Sequence, residues 1–267
     1  MWSQHMRSSV RPHDTASPAE TNRTGARQSV SNLVNVRDLG GLPTTDGHST
    51  QAGVLYRSDA PYPSDQLPSS LPVWPPEVVI DLRSHGEYTG AHPWADHSKV
   101  VQMPVLRDAA VVTDVEPPTT QNTKRLEKIY NDILSAHPER LAQVVTLAAR
   151  GVGPVHIHCA AGKDRTGVTV AILLLAAGVR TESFISDYTA TGQNMDALIT
   201  RLEALGRRKP DAPRPAVSML AAPAHLIEMV INRVSGTRGV DHWLAQHGCP
   251  RDATDIWRRR FVDGYAG

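Results

Sequence analysis

The stretch from Val155 to Gly178 constrains this chain more than any other. Val155-His156-Ile157-His158 reads as a short strand after the Gly151–Gly153 turn. A loop of small and charged residues follows, then an apolar helix from Thr166 to Ala177, stopped by Gly178. A strand feeding an apolar helix through a tight loop is a unit of an α/β fold. The rest of the chain repeats the alternation. Val78-Val79-Ile80-Asp81-Leu82 is a nearly continuous apolar run, the pattern of a strand buried on both faces of a parallel sheet. Val100 to Val105 reads as another strand, and Leu33–Val36 and Val54–Tyr56 as shorter ones. Leu126, Ile129, Tyr130, Ile133 and Leu134 recur at helical spacing, and Pro138 opens a second helix reaching about Arg150. Thr181 is placed to cap the next helix, and the C-terminal stretches 224–234 and 240–246 and a segment capped by Asp252 are helical. The expectation is an α/β fold: a central, mostly parallel sheet flanked by helices, with a helical C-terminal region.

The arginines of residues 1–30 stand among polar residues with no apolar core, so this segment reads as a flexible tail and 31–267 as a single domain. Charge is balanced, with 28 basic and 27 acidic side chains, so no nucleic-acid partner is expected and anion recognition must be local. The longest apolar run, Val168 to Ala177, is well short of the roughly 18–20 residues of a membrane span. No membrane insertion is expected. Two distant cysteines do not make a disulfide framework, which points to a reducing, cytoplasmic setting. Oligomeric state has no signature. Residues 61–76 are rich in proline and read as a surface loop, and residues 107–123 as a mobile one.

The chemistry lies in His158-Cys159-Ala160-Ala161-Gly162-Lys163-Asp164-Arg165-Thr166-Gly167. A cysteine between a strand end and a helix N-terminus faces unpaired N–H groups and the positive end of the helix dipole. Both favour the thiolate, the nucleophilic form. Ala160, Ala161 and Gly162 are small enough to turn backbone N–H groups inward as a nest for phosphate oxygens. Arg165 closes the ring with a planar fork that holds two oxygens at once. Gly167 lets the helix start close to the strand, and the Thr166 hydroxyl is in reach of the Cys159 sulfur. Cys159 can then attack phosphorus and form a phosphocysteine that water hydrolyses, with no metal and no cofactor. The alternative for Cys159 is a structural thiol before a core helix. Lys163 is either a contact to a second anionic group or a solvated loop residue. His156 and His158 form a His-x-His pair, readable as metal ligands, but no third motif completes a site; His158 instead orients the loop. Cys249 reads as an inert thiol, with a redox partnership to Cys159 as the alternative.

The loop resembles the signature of the protein tyrosine phosphatase superfamily, and its Gly-Lys-Asp-Arg-Thr-Gly filling resembles a bacterial and fungal branch of it. Asn35-Val36-Arg37-Asp38-Leu39-Gly40-Gly41, Leu55-Tyr56-Arg57-Ser58, Ile80-Asp81-Leu82-Arg83-Ser84 with Glu87, and Gly239–Leu244 are similar to further motifs of that branch. The resemblance implies a cysteine-phosphatase-like fold and a phosphorylated partner: a phosphoprotein, a phosphoinositide or a small phosphomonoester. A phosphate-binding module without catalysis and a metal-dependent hydrolase built on His156 and His158 are the other readings. The resemblance implies Asp164 as the general acid, with Asp108 and Asp81 as competitors. Arg37, Asp38, Arg57 and Arg83 are expected to form a polar network behind the loop. The basic turn Gly206–Pro210 is either part of a cover over the site or a solvated connection.

Overall fold

A computed structural model describes residues 32–66, 68, 71–88, 90–106 and 120–264. Five strands form one sheet: β1 (Arg37–Asp38), β2 (Leu55–Ser58), β3 (Val78–Asp81), β4 (Lys99–Gln102) and β5 (Val155–His158). Their spatial order is β1-β2-β5-β3-β4; β1 is antiparallel to β2 and every other pairing is parallel. The α/β expectation holds. All four residues of β2, β3 and β5 are buried, as strands covered on both faces must be.

Helices cover the sheet. They are α1 (Thr120–Ala136), α2 (Pro138–Arg150), α3 (Asp164–Ala176), α4 (Thr181–Gln193), α5 (Met195–Ala204), the short α6 (Val217–Leu220), α7 (Ala224–Ser235), α8 (Val240–Gln246) and α9 (Ala253–Phe261). None of the described helices is long and apolar enough to cross a membrane. α3 is apolar on nearly every side and packs against β5, α1, α2, α7 and α9. Trp257 of α9 is fully buried against it, donates its indole N–H to the Leu173 carbonyl at 2.9 Å and stacks on Phe261.

Several expected elements move. Residues 33–36 are not a strand, because their backbone donors go elsewhere: the N–H groups of Val34 and Asn35 both reach Asp59 Oδ1, at 3.0 and 2.9 Å. The strand is Arg37–Asp38 instead. Beyond Gln102 the chain meets Pro104, which lacks the donor a ladder needs, and β4 ends there. α1 begins at Thr120, inside the segment expected as a loop, while residues 107–119, with Asp108, lie outside the described residues, as does the tail 1–30. Thr181 is the first helical residue rather than the cap, and Asp252 stands at the N-cap of α9 without a capping hydrogen bond, its carboxylate accepting instead from Arg150 at 2.9 Å.

Strand register builds a common platform. Ser58 and Asp81 both lie level with His158, so the carboxyl ends of β2, β3 and β5 finish together, directly beneath the loop that β5 feeds. Truncating Trp257 to Ala should cost about 3–5 kcal/mol, the usual range for a buried tryptophan. The check is the urea midpoint of the variant, at an unchanged slope.

Candidate active site

The loop after β5 is shaped from outside. Three consecutive carbonyls point away from its centre, and each meets a donor from the segment between Asn35 and Ala60. Ala160 O accepts from the Ala60 N–H at 3.1 Å, Ala161 O from Asn35 Nδ2 at 2.7 Å, and Gly162 O from Arg57 NH2 at 2.7 Å. A peptide unit whose carbonyl is held outward has its N–H facing inward, which is how a nest is built. Gly162 is indispensable to the turn: its φ is +69°, and a Cβ there would lie 2.4 Å from the Ser58 carbonyl oxygen. Gly162, not Gly167, is thus the glycine that brings the loop onto the strand. The absent Cβ of Gly167 instead makes room for the Tyr188 ring, 3.0 Å from where it would stand.

Arg57 can hold Gly162 because Asp187 of α4 holds Arg57. Asp187 accepts from Arg57 at 2.5 Å and from Arg37 Nε at 2.5 Å. Burial raises the Asp187 carboxyl, but the two guanidinium groups outweigh it and keep the group below the usual carboxylate range. The expected network of Arg37, Asp38, Arg57 and Arg83 is therefore two assemblies and an outlier. Arg37 and Arg57 share Asp187. Arg83 clamps Asp81 through Nε and NH2, at 2.9 and 2.7 Å, and Asp38 serves the backbone of Gly40 and Gly53.

Arg165 stands in the first turn of α3, and its fork meets Glu87 in two hydrogen bonds of 2.5 and 2.8 Å. Glu87 also accepts from the Ser84 N–H at 2.7 Å, closing a capping box on the 3-10 turn His85–Glu87. Burial pushes Glu87 up, yet Arg165 wins and its carboxyl stays low. Burial likewise works against the Arg165 charge, and Glu87 with Cys159 more than compensates. Cys159 is 2% exposed at the base of the loop. Asp164 is the first residue of α3; its Oδ1 accepts from Tyr130 at 3.0 Å and from Lys163 Nζ at 2.8 Å. Lys163 is buried, not solvated, and also donates to the Ala221 carbonyl at 3.1 Å. Thr166 departs from expectation: its hydroxyl is buried without a hydrogen bond among the described residues, to Cys159 or to any other group.

Beneath Cys159 lies a chain of neutral histidines whose tautomers follow from their partners. The Trp94 N–H donates to His92 Nδ1 at 3.1 Å, so the His92 proton is on Nε2 and points to His158 Nε2, 3.0 Å away. His158 then carries its proton on Nδ1, which faces the Cys159 carbonyl at 3.3 Å. Burial drives His158 down to about 4 despite Asp81, and His92 to about 3, with His158 adding to the effect. His156 instead faces Ser58 Oγ at 2.7 Å. Asp81, His92 and His158 bring three potential ligand atoms within 4.8 Å of one another, a grouping the His-x-His reading did not foresee. Their lone pairs are otherwise engaged, since Arg83 clamps the carboxylate and the two imidazoles bond to each other.

Glu87, Asn35, Asp187, His92, Tyr130 and Tyr188 are the site residues that reading the sequence missed as such. Glu87 and Asn35 sat inside recognised motifs without an assigned partner. The others carry no local signal, because tertiary packing alone brings them to the loop. Cys249 is buried beside Thr146, and burial raises its thiol. In the basic turn, Arg207 lies over the Tyr62 ring at 5.1 Å and lines a cleft with Arg83, Glu87 and Tyr88. Arg208 is structural, pairing with Glu203 at 2.5 Å.

A sheet with a cysteine–arginine anion loop at its carboxyl edge is the architecture of a phosphatase. A sequence profile of the tyrosine phosphatase family matches residues 28–263. A Cupriavidus necator protein named "putative tyrosine-protein phosphatase" is 29% identical over 238 residues, covering 84% of this chain and 82% of its own. "Triple specificity protein phosphatase PtpB" of Mycobacterium tuberculosis is 39% identical over 71 residues, covering 27% of this chain and 25% of its own. The chain belongs to the tyrosine phosphatase family.

Loosening the loop and protonating the histidines should have separable effects. Asn35→Ala releases the Ala161 carbonyl, and kcat should fall at least tenfold while stability drops by only about 1 kcal/mol, the worth of one hydrogen bond. Phosphatase assay beside thermal denaturation separates the two. His92 and His158 bind protons more weakly folded than unfolded, so acid favours unfolding. Stability should be full above about pH 6.5, the ordinary histidine value, and fall progressively toward pH 4. His92→Phe should flatten that fall, read from urea midpoints across the range.

Proposed function

We propose that the protein hydrolyses phosphomonoesters through a phosphocysteine on Cys159. The observation that carries this reading is the outward clamping of the Ala160, Ala161 and Gly162 carbonyls. It leaves a ring of N–H donors preorganised around the point where a phosphoryl group would sit, with no reorganisation needed during reaction. In this reading Ala160, Ala161, Gly162, Lys163, Asp164 and Thr166 supply the cradle. Arg165, steadied by Glu87, supplies the charge facing the equatorial oxygens. Cys159 attacks phosphorus as the P–O bond breaks, and the departing oxygen takes its proton from Asp164. A water then attacks the phosphocysteine, gives its proton to Asp164, and releases phosphate and thiolate. His158, Arg57 and Asp81 serve from below: the first two hold loop carbonyls, and Asp81 anchors Arg83. A carboxylate gripped by a guanidinium and 1% exposed is a poor proton donor, which supports Asp164 over Asp81.

The preferred substrate class is protein phosphotyrosine, supported by the family and by the name of the Cupriavidus necator relative. The "triple specificity" of one relative's name favours a second reading, in which other phosphomonoesters, phosphoinositides or small metabolites among them, enter the same loop. We further propose that residues 31–267 act as one unit and need no cofactor for this chemistry.

Cys159→Ser should abolish turnover and leave the fold intact. Asp164→Asn should slow phenyl phosphate by about 10²–10⁴-fold, the usual worth of a general acid, and an activated nitrophenyl ester far less. The measurement is kcat for both esters, with chelator present and absent. A serine variant within tenfold of the parent, or activity lost to chelator and restored by metal, would overturn the reading.

A further inference from the structure

The core of this protein contains two tyrosines that a hydrophobic interior does not need. Tyr130 of α1 and Tyr188 of α4 are 0% and 1% exposed, their rings meet edge to face, and their hydroxyls are 2.5 Å apart. Phenylalanine would fill the same space without burying two hydroxyls, each of which is costly if left unpaired. The hydroxyls must therefore end somewhere. They end on Asp164: the Tyr130 oxygen lies 3.0 Å from Asp164 Oδ1.

Each tyrosine has one proton, and this fixes the direction of the chain. Tyr130 donates to Asp164, which can only accept while ionised. The Tyr188 proton must then point to the Tyr130 oxygen. Burial, with the Asp164 charge next, holds both phenols above their ordinary value, so neither gives its proton away near neutral pH. Lys163 Nζ donates to the same Oδ1 at 2.8 Å. Oδ1 thus has two donors, whereas Oδ2 has none among the described residues.

We propose that Tyr130, backed by Tyr188, is a positioning residue that commits Asp164 Oδ1 to permanent acceptance and leaves Oδ2 as the oxygen that carries the transferable proton. The inference rests on Asp164 being the general acid. The charges around this group are Lys163, which donates to Asp164, Arg165, whose charge Asp164 supports, and Arg57, which acts on Tyr188; α1 and α4 bring the two phenols. The step balances simply. The Oδ2 proton goes to the ester oxygen as sulfur takes the phosphoryl group, and it returns from the attacking water, while the protons of Tyr130 and Tyr188 stay in place throughout. The tyrosines move no proton; they fix which oxygen does.

The test is the pH dependence of kcat for phenyl phosphate in Tyr130→Phe, Tyr188→Phe and the double variant, beside Asp164→Asn. Loss of activity at high pH reports loss of the acid's proton. A donor to Oδ1 favours the ionised form, so removing it lets the proton persist to higher pH. In Tyr130→Phe the basic limb should move up by about one pH unit or more. In Tyr188→Phe it should move the same way but less. The double variant should match Tyr130→Phe alone, because Tyr188 acts only through Tyr130. Should Tyr130→Phe fail to fold, the shift in Tyr188→Phe decides. Folded single variants whose basic limb stays at the parental pH, with Asp164→Asn still showing its leaving-group-dependent loss, would overturn the role of the tyrosines and leave the acid assignment standing. An Asp164→Asn variant without that loss would overturn both.

Discussion

The structure turns on three carbonyl groups facing the wrong way for a helix. Left to itself, a loop between a strand and a helix N-terminus would satisfy its polar groups with water and adopt many shapes. Here Ala60, Asn35 and Arg57 take up the carbonyls of residues 160–162 in turn. Everything else can be traced outward from that grip. Arg57 needs Asp187, Asp187 needs α4, and α4 can approach because Gly167 offers the Tyr188 ring a flat surface. The level ends of β2, β3 and β5 put Ser58, Asp81 and His158 on a common floor beneath it.

The electrostatics follow one plan, with every buried charge near the loop answered by a partner of opposite sign at hydrogen-bond distance. Arg165 has Glu87, Arg83 has Asp81, and Arg37 with Arg57 have Asp187. The histidines below are neutral by burial, so they add shape and directionality rather than charge. An uncompensated cation would bind phosphate more tightly but would hold the product as firmly as the substrate. Pairing each guanidinium in advance trades attraction for orientation, which suits a group that must release phosphate on every cycle.

Much of this was legible in the residues. The buried strands, the apolar α3 and the order of loop elements followed from periodicity and from glycine and proline placement, because those signals are local. Cys159 and Arg165 could be placed on one loop for the same reason: they stand six residues apart between a strand and a helix. What escaped was relational. Residues 33–36 look like a strand and are not, since the N–H groups of Val34 and Asn35 go to Asp59. Lys163 looks like a surface lysine and is buried, because Asp164 and a carbonyl between α6 and α7 receive it. The hydroxyl of Thr166 looked aimed at sulfur, yet the helix starts two residues earlier than its apolar run suggested and turns it inward. Tyr130 and Tyr188 were countable as core, but only the packing of α1 on α3 and α4 reveals where their hydroxyls end.

The two cysteines are the chain's complete thiol inventory, and both are interior, at 2% and 6% exposure. Burial pushes the Cys249 thiol up, which leaves less of the reactive thiolate. A thiol-selective reagent that modifies the native protein quickly must therefore reach Cys159 at the base of the loop, by the entrance that the proposed substrate would use. Thiol-selective labelling of this protein is a direct gauge of how freely that entrance admits a molecule of given girth. Graded electrophiles would measure its width without any knowledge of what normally passes through it.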